Sequence, residues 1–215
     1  MNKLLIIGAG GFGREVLQWA LHIPESQRDW EIAGFLDPNP KILNGFSISF
    51  PILGTDVGWV IQPEHRFICA IGDPREKLRI CRTLRDRGAQ FISLVHPTAL
   101  IGGNVKLGVG CIICPGVIIT TNVEIGNFVT LNLCATIGHD ATLGDGCTLS
   151  PHACVSGSCS LGEGVVMGSN AVLIPKIRVA EYTMVGAASV VIRRTRPNTT
   201  VLGVPAVQVY SGKEH

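Results

Sequence analysis

From Ile101 onward an aliphatic side chain returns at every sixth position: Ile101, Leu107, Ile113, Ile119, Ile125, Leu131, Ile137, Leu143, Leu149, Val155, Leu161, Met167, Leu173, Val179, Val185 and Val191. Four residues behind each member runs a second series: Val105, Cys111, Val117, Val123, Val129, Ala135, Ala141, Cys147, Ala153, Cys159, Val165, Ala171, Ile177, Thr183, Ser189 and Thr195, all small or β-branched. A period of six matches neither the 3.6 of a helix nor the alternation of an ordinary strand. It predicts a parallel β-helix in which each hexapeptide supplies one short strand and one turn. Three hexapeptides make a triangular coil, and both series point inward. The position after the first series is rich in glycine (Gly102, Gly108, Gly126, Gly138, Gly144, Gly162, Gly168, Gly186) and is expected to turn the chain through φ > 0. Eighteen residues per coil gives about five coils, whose stacking buries a column that no single coil could bury.

The first ninety-odd residues carry a different pattern. Short apolar runs at Lys3–Ile7, Glu31–Leu36, Phe67–Ile71 and Phe91–Val95 read as strands. Between them, Arg14–His22 places Val16, Leu17, Ala20 and Leu21 on one helical face before Pro24, and Arg75–Arg87 reads as a helix stopped by Gly88. Strands alternating with helices imply a parallel sheet. The chain therefore divides into an α/β Rossmann-like unit, 1–95, and an all-β parallel β-helix, 96–215.

Between the first strand and first helix stands Gly8-Ala9-Gly10-Gly11-Phe12-Gly13, a G-x-G-x-x-G run, with Asp37 at the place of a ribose-binding acid. A dinucleotide fold needs two mononucleotide halves, and only one fits before the repeat begins. The expected ligand is thus a single nucleotide with its phosphates, such as a nucleotide-sugar, held at the helix N-terminus.

Composition narrows the function classes. Charged residues are 16% of 215 and the net charge is +2, which gives no footprint for nucleic acid or a membrane surface. The apolar opening is broken at once by Gly8-Ala9-Gly10-Gly11 and then Arg14 and Glu15, unlike a signal peptide. No stretch approaches the ~18 apolar residues of a membrane span, so a cytoplasmic chain with reduced cysteines is expected. Of the eight cysteines, Cys111 and Cys114 form one CxxC without a second pair, and no metal is expected.

Gly8–Gly13, Ala70-Ile71-Gly72-Asp73, Val95-His96-Pro97-Thr98-Ala99, Asn132 through Gly138-His139-Asp140, and Gly203-Val204-Pro205-Ala206 together resemble the bacterial sugar acetyltransferases. These belong to the hexapeptide-repeat acyltransferase superfamily and modify sialic acids or UDP- and GDP-linked 4-amino sugars. The resemblance implies a left-handed winding and acetyl-CoA as co-substrate. It also implies a homotrimer with sites between subunits, in the setting of polysaccharide biosynthesis. It makes His139 the general base and Asp140 its support, an imidazole being able to accept a proton near neutral pH. It assigns Gly157 to the oxyanion, places Gly168, Ser169, Ala187 and Ala188 along coenzyme A, and gives Asn132 to the sugar. Gly8, Gly10, Gly11, Phe12, Gly13, Asp37, Gly72 and Asp73 would hold the nucleotide-sugar. Two positions depart from the family: Thr148 and Phe12 stand where many relatives carry histidine. His22, His65 and His215 read as surface residues, His96 as structural, and His152 as exposed.

Other readings use the same residues. A sialic acid-type O-acetyltransferase needs the same His–Asp pair. A β-helical carbonic anhydrase needs three histidines on one zinc, and only His139 and His152 lie within the coils. A non-catalytic scaffold would ignore loss of His139, and a nicotinamide enzyme would need the missing second half-fold.

Overall fold

The computed structural model describes residues 1–211, which leaves His215 outside the described residues. Strands β1 (Asn2–Ile7), β2 (Trp30–Leu36), β3 (Ile52–Gly54), β4 (His65–Cys69) and β5 (Gln90–Phe91) form an all-parallel sheet in the order β3-β2-β1-β4-β5. Helices α1 (Gly11–Leu21) and α2 (Pro74–Asp86) cover it. Alternate residues of β1 serve the two faces, as strand geometry requires. Leu4 and Ile6 join Val16, Leu17 and Ala20 of α1, while Leu5 and Ile7 join Leu78, Cys81 and Leu84 of α2. The three-residue β3 lies outside the apolar runs that mark its neighbours. Asp73 explains where α2 begins: its carboxylate accepts from the Glu76 amide at 2.8 Å, and Pro74 follows at the first helical position.

The segment expected as one strand, Phe91–Val95, divides in two. Gln90–Phe91 closes the α/β sheet against β4, whereas β6 (Leu94–Val95) already pairs with the repeat. The apolar run is continuous because both halves are packed, each against a different sheet. After it come sixteen two-residue strands at six-residue intervals, β7 (Leu100–Ile101) through β22 (Val190–Val191). They stack in three parallel faces: β6-β9-β12-β15-β18-β21 on the first, β7 to β22 in steps of three on the second, and β8 to β20 on the third. Five strands on the third face and six on the second make between five and six coils. A hairpin, β23 (Thr199–Gly203) with β24 (Ala206–Ser211), extends the first face beyond the last coil, and Gly203–Ala206 is its turn. Both predicted series are buried except at the two ends of the stack, where Ile101, Val105 and Leu107 in the first coil and Thr195 at the last are partly exposed.

One expectation fails in its physics. None of the eight glycines after the first series has positive φ. The left-handed residue comes two positions later and is often not glycine: Asn104, Asn122, Phe128, Cys134, Asp140, His152 and Ala188 all hold φ between 55° and 60°. The glycines are there because the next coil is close. A Cβ on Gly168 would stand 2.6 Å from the Ala187 nitrogen, and one on Gly102 2.3 Å from the Thr120 carbonyl oxygen.

The two parts are joined by more than the chain. Helix α2 lies against the coils, with Arg82 bonded to Glu163 at 2.5 Å and Arg75 stacked over the Tyr182 ring at 3.8 Å. Phe128 leaves the coils to meet Phe91 edge-on, their centroids 5.1 Å apart. Lys77, 1% exposed, reaches the outer side of the first face and donates to Thr148 at 2.9 Å and Thr130 at 3.4 Å.

Candidate active site

Between faces run three corners. The first joins faces one and two, the second faces two and three, the third faces three and one. Ile137 ends β13 (Thr136–Ile137) pointing inward, so the turn after it carries His139 and Asp140 outward on the second corner. Their side chains are 63% and 51% exposed. Asp140 takes the left-handed turn conformation, φ 59°, which acidic side chains tolerate better than most. That turn sets its Oδ2 2.7 Å from Nδ1 of His139. Its Oδ1 accepts from Asn122 one coil earlier, at 3.3 Å. These two bonds, that from His139 first, hold the Asp140 carboxyl below the usual carboxylate range. An ionised carboxylate only accepts, so Nδ1 carries the proton, and in the neutral ring Nε2 is the nitrogen with the lone pair.

Gly157 stands one coil beyond His139. A Cβ there would lie 2.6 Å from Nε2, so only glycine leaves room for the ring. Among the described residues the Gly157 amide has no hydrogen-bond acceptor.

The nucleotide-side residues gather elsewhere, at the carboxyl ends of β1, β2 and β4. Strand order reverses between β1 and β4, the place where open α/β sheets bind ligands. Gly8 (φ +90°) makes the turn out of β1, and Gly13 lets α1 approach it, since a Cβ there would fall 2.0 Å from the Gly8 carbonyl oxygen. Gly10 and Gly11, at the start of α1, face open space, as does Gly72. Phe12 is half-buried against the core. Asp37 is 8% exposed and accepts from the Ala9 amide at 2.8 Å and the Asn39 amide at 2.9 Å, so it shapes the glycine loop directly. Asp73 caps α2 beside that crevice.

Asn132, Gly168, Ser169, Ala187 and Ala188 all lie on the first corner, not beside His139. Ser169 and Ala188 are bonded across successive coils, with Ala188 N–H donating to the Ser169 carbonyl at 2.8 Å. Helix α1 follows the same corner. His22 at its end meets His96 in the first coil at 3.0 Å, and Glu15, two turns earlier, acts electrostatically on Cys114 in the second. The N-terminus of α1 therefore leads toward the third coil, which carries Asn132. Thr148 is engaged by Lys77, and His152 is exposed on the first corner. His22 is exposed, as expected of a surface residue, and also pairs with His96, whereas His65 is half-buried and accepts from the Gln62 amide at 3.0 Å. Asn122 escaped the sequence reading; its signal was the 18-residue spacing to Asp140. An open depression of about 500 Å3 along the third face, between Lys106 and Leu161, contains none of these residues. Among the described residues no three His, Cys, Asp or Glu side chains are grouped to hold a metal. No described helix is long and apolar enough to cross a membrane.

An α/β half-fold feeding a hexapeptide solenoid, with a His–Asp pair on one corner, has the build of a hexapeptide-repeat acyltransferase. The family profile described as the PglD N-terminal domain matches residues 3–84. GDP-perosamine N-acetyltransferase of Escherichia coli O157:H7 is 29% identical over 145 residues, 65% of this chain and 63% of that relative. PerB from Caulobacter crescentus, solved with CoA and GDP-perosamine, matches 97% of both chains at 29% identity and a TM-score of 0.85. The acetyltransferase domain of PglB from Neisseria gonorrhoeae FA1090 matches 97% of this chain and 100% of that domain, with 27% identity and a TM-score of 0.87. Over nearly its whole length the chain therefore has the fold of these sugar acetyltransferases and is similar to them in sequence.

Proposed function

We propose that the protein transfers the acetyl group of acetyl-CoA to the amino group of a nucleotide-linked 4-amino sugar. The observation that carries this reading is His139: Nδ1 is held by Asp140 at 2.7 Å, Nε2 lies against the bare Cα side of Gly157, and the Gly157 amide has no acceptor among the described residues. The sugar nitrogen attacks the thioester carbonyl as its proton passes to Nε2 of His139. The carbonyl oxygen gathers negative charge, and the Gly157 N–H is the donor offered to it. Collapse expels the coenzyme A thiolate, which takes the proton from the imidazolium. The Asp140 carboxylate stabilises the imidazolium while it exists.

The nucleotide phosphates belong at the start of α1, where Gly10 and Gly11 leave the backbone open. From there the sugar extends toward Asn132, and coenzyme A follows Gly168, Ser169, Ala187 and Ala188 on the same corner. His139 stands on the next corner of the triangle, so the reading includes a second copy of the chain supplying His139 and Gly157 to the first copy's substrates. A homotrimer with left-handed coils meets that need, three equivalent grooves arising from one contact. The division into a nucleotide-sugar unit, 1–95, and an acetyl-transfer unit, 96–215, and a cytoplasmic location belong to the same reading. GDP-perosamine is the first acceptor to try, because the Escherichia coli relative is named for it and the Caulobacter complex contains it.

The test is thiol release from acetyl-CoA with a panel of GDP-, UDP- and dTDP-linked 4-amino sugars, beside His139→Ala. Release with one amino sugar, cut ~10²–10⁴-fold by the substitution, is the expected result. Release only with hydroxyl acceptors such as sialic acid moves the protein to O-acetylation. No release and no acetyl-CoA binding ends the proposal.

A further inference from the structure

Three consecutive coils place Asn104, Asn122 and Asp140 at the same left-handed turn position of the second corner, with φ of 57°, 55° and 59°. Their side chains form a ladder. Asn104 Nδ2 donates to Asn122 Oδ1 at 3.1 Å, and Asn122 Nδ2 donates to Asp140 Oδ1 at 3.3 Å. The ladder has one possible polarity. A carboxylate at its end can only accept, so the Asn122 amide turns its NH2 toward Asp140 and its oxygen toward Asn104. The backbone keeps the rungs aligned: the Asn122 amide donates to the Gly103 carbonyl, and the Asp140 amide to the Thr121 carbonyl, each at 3.1 Å.

We infer that Asn122 is a positioning residue for the His139–Asp140 pair, its amide fixing the plane of the Asp140 carboxylate so that His139 keeps its proton on Nδ1 and presents Nε2 as the base. Each carboxylate oxygen then has one donor, Asn122 on Oδ1 and His139 on Oδ2. Two donors on two oxygens stop rotation about the last side-chain torsion, which is otherwise broad for aspartate. Asp140 is half-exposed, so no packing would hold it if Asn122 were lost. His139 is the ionisable group that acts on Asp140, and Lys176 stands two coils further along the same turn column. The contribution to rate rests on the acetyltransferase reading; the effect on the imidazole tautomer does not.

Asn122→Gly removes the amide at a site where glycine accepts the backbone conformation without strain. Asn122→Asp keeps the shape and sets a second carboxylate against the first. For Asn122→Gly we expect kcat to fall about tenfold, the scale of a hydrogen bond to a charged acceptor, with KM for both substrates unchanged. Asn122→Asp should lose more. The readout independent of turnover is the 15N spectrum of the His139 ring, which reports which nitrogen carries the proton. The Nδ1–H share should drop in both variants. An unchanged tautomer in Asn122→Gly overturns the inference, as does wild-type kcat in that variant when the wild type is an active acetyltransferase. A tautomer change in a protein without transferase activity would leave Asn122 in its role and remove the proposed function instead.

Discussion

Gly157 and His139 face each other across one coil so closely that a single methyl group would not fit: a Cβ on Gly157 would lie 2.6 Å from Nε2 and 2.7 Å from Cε1 of the ring. Gly157 is not a left-handed residue, so its backbone accepts alanine. The methyl group must then push the exposed imidazole aside, since the coil backbone behind Gly157 is held by its ladder. Gly157→Ala should leave the melting temperature within a degree or two and cost kcat about 10²-fold, the scale of a 1 Å misplacement. Steady-state kinetics with a thermal melt checks this. A large fall in stability would show that the coil, not the ring, yields.

The glycine loop permits a paired test. Gly13→Ala would put a Cβ 2.0 Å from the Gly8 carbonyl oxygen, backbone against backbone, while Gly11→Ala meets nothing within 4 Å. The first should destabilise the protein by about 2–3 kcal/mol through forced separation of α1 from β1. The second should leave stability unchanged and weaken nucleotide-sugar binding, because its methyl group enters the space open to phosphates. Denaturant titration separates the first from the second, and calorimetric binding of the nucleotide-sugar measures the second. Equal stability losses in the two variants would refute the assignment.

What the sequence made legible follows from how each feature is encoded. A coil buries two side chains per hexapeptide, so the period of six marked every strand from β7 to β22. The G-x-G-x-x-G run was legible because strand, turn and helix follow one another locally. Features that arise only when coils stack were hidden. The glycines after the first series looked like turn residues, yet their reason is the backbone of a coil 18 residues away. Asn122 carries no motif, and it meets Asp140 only through that same stacking. Lys77 and Thr148 sit 71 residues apart and on different units, so nothing local foretold their bond. Strand β3 has three residues, too few for any alternation to show.

Lys77 is a charge in an unusual place. It is 1% exposed, its hydrogen-bond partners are the hydroxyls of Thr148 and Thr130, and the groups around it are the thiols of Cys69, Cys147, Cys81 and Cys111. Burial pushes its amine below the ordinary lysine value. The unfolded chain, titrating near 10.4, then binds the proton more tightly than the folded one. The penalty is full at pH values below the folded value. It shrinks as pH rises from there toward about 10.4 and vanishes above. Lys77→Met keeps the stem volume and removes the penalty, so it should stabilise the protein by about 1–2 kcal/mol at pH 6, despite two hydroxyls losing a partner. The gap between variant and wild type should narrow as the pH is raised to 10. Denaturant midpoints across that range would decide it, and a gap independent of pH would contradict the account.

The histidine pair gives the opposite limb of the stability profile. His96 is 7% exposed, and its Nδ1 lies 3.2 Å from the Thr98 amide and 2.8 Å from the Thr98 hydroxyl. Accepting from that amide, Nδ1 has no proton, so Nε2 carries one and donates to Nδ1 of His22 at 3.0 Å. This bond ties the end of α1 to the first coil, with Trp19 edge-on to His96 and Glu15 the acid on the same helix. Burial first, and His22 second, hold His96 below the usual histidine value. Unfolded histidine takes its proton near pH 6.5, before the folded residue does. Stability should therefore be level above about 6.5 and fall as the pH drops through that value, the loss being complete below the folded value. Carboxylates titrate lower, near 4, and do not mask the window. His96→Asn keeps an acceptor for the Thr98 amide and has nothing to titrate. Its melting temperature should stay flat between pH 7 and 5 while that of the wild type declines. Parallel declines would mean that the acid sensitivity arises elsewhere, and that the contact between α1 and the first corner does not loosen when His96 charges.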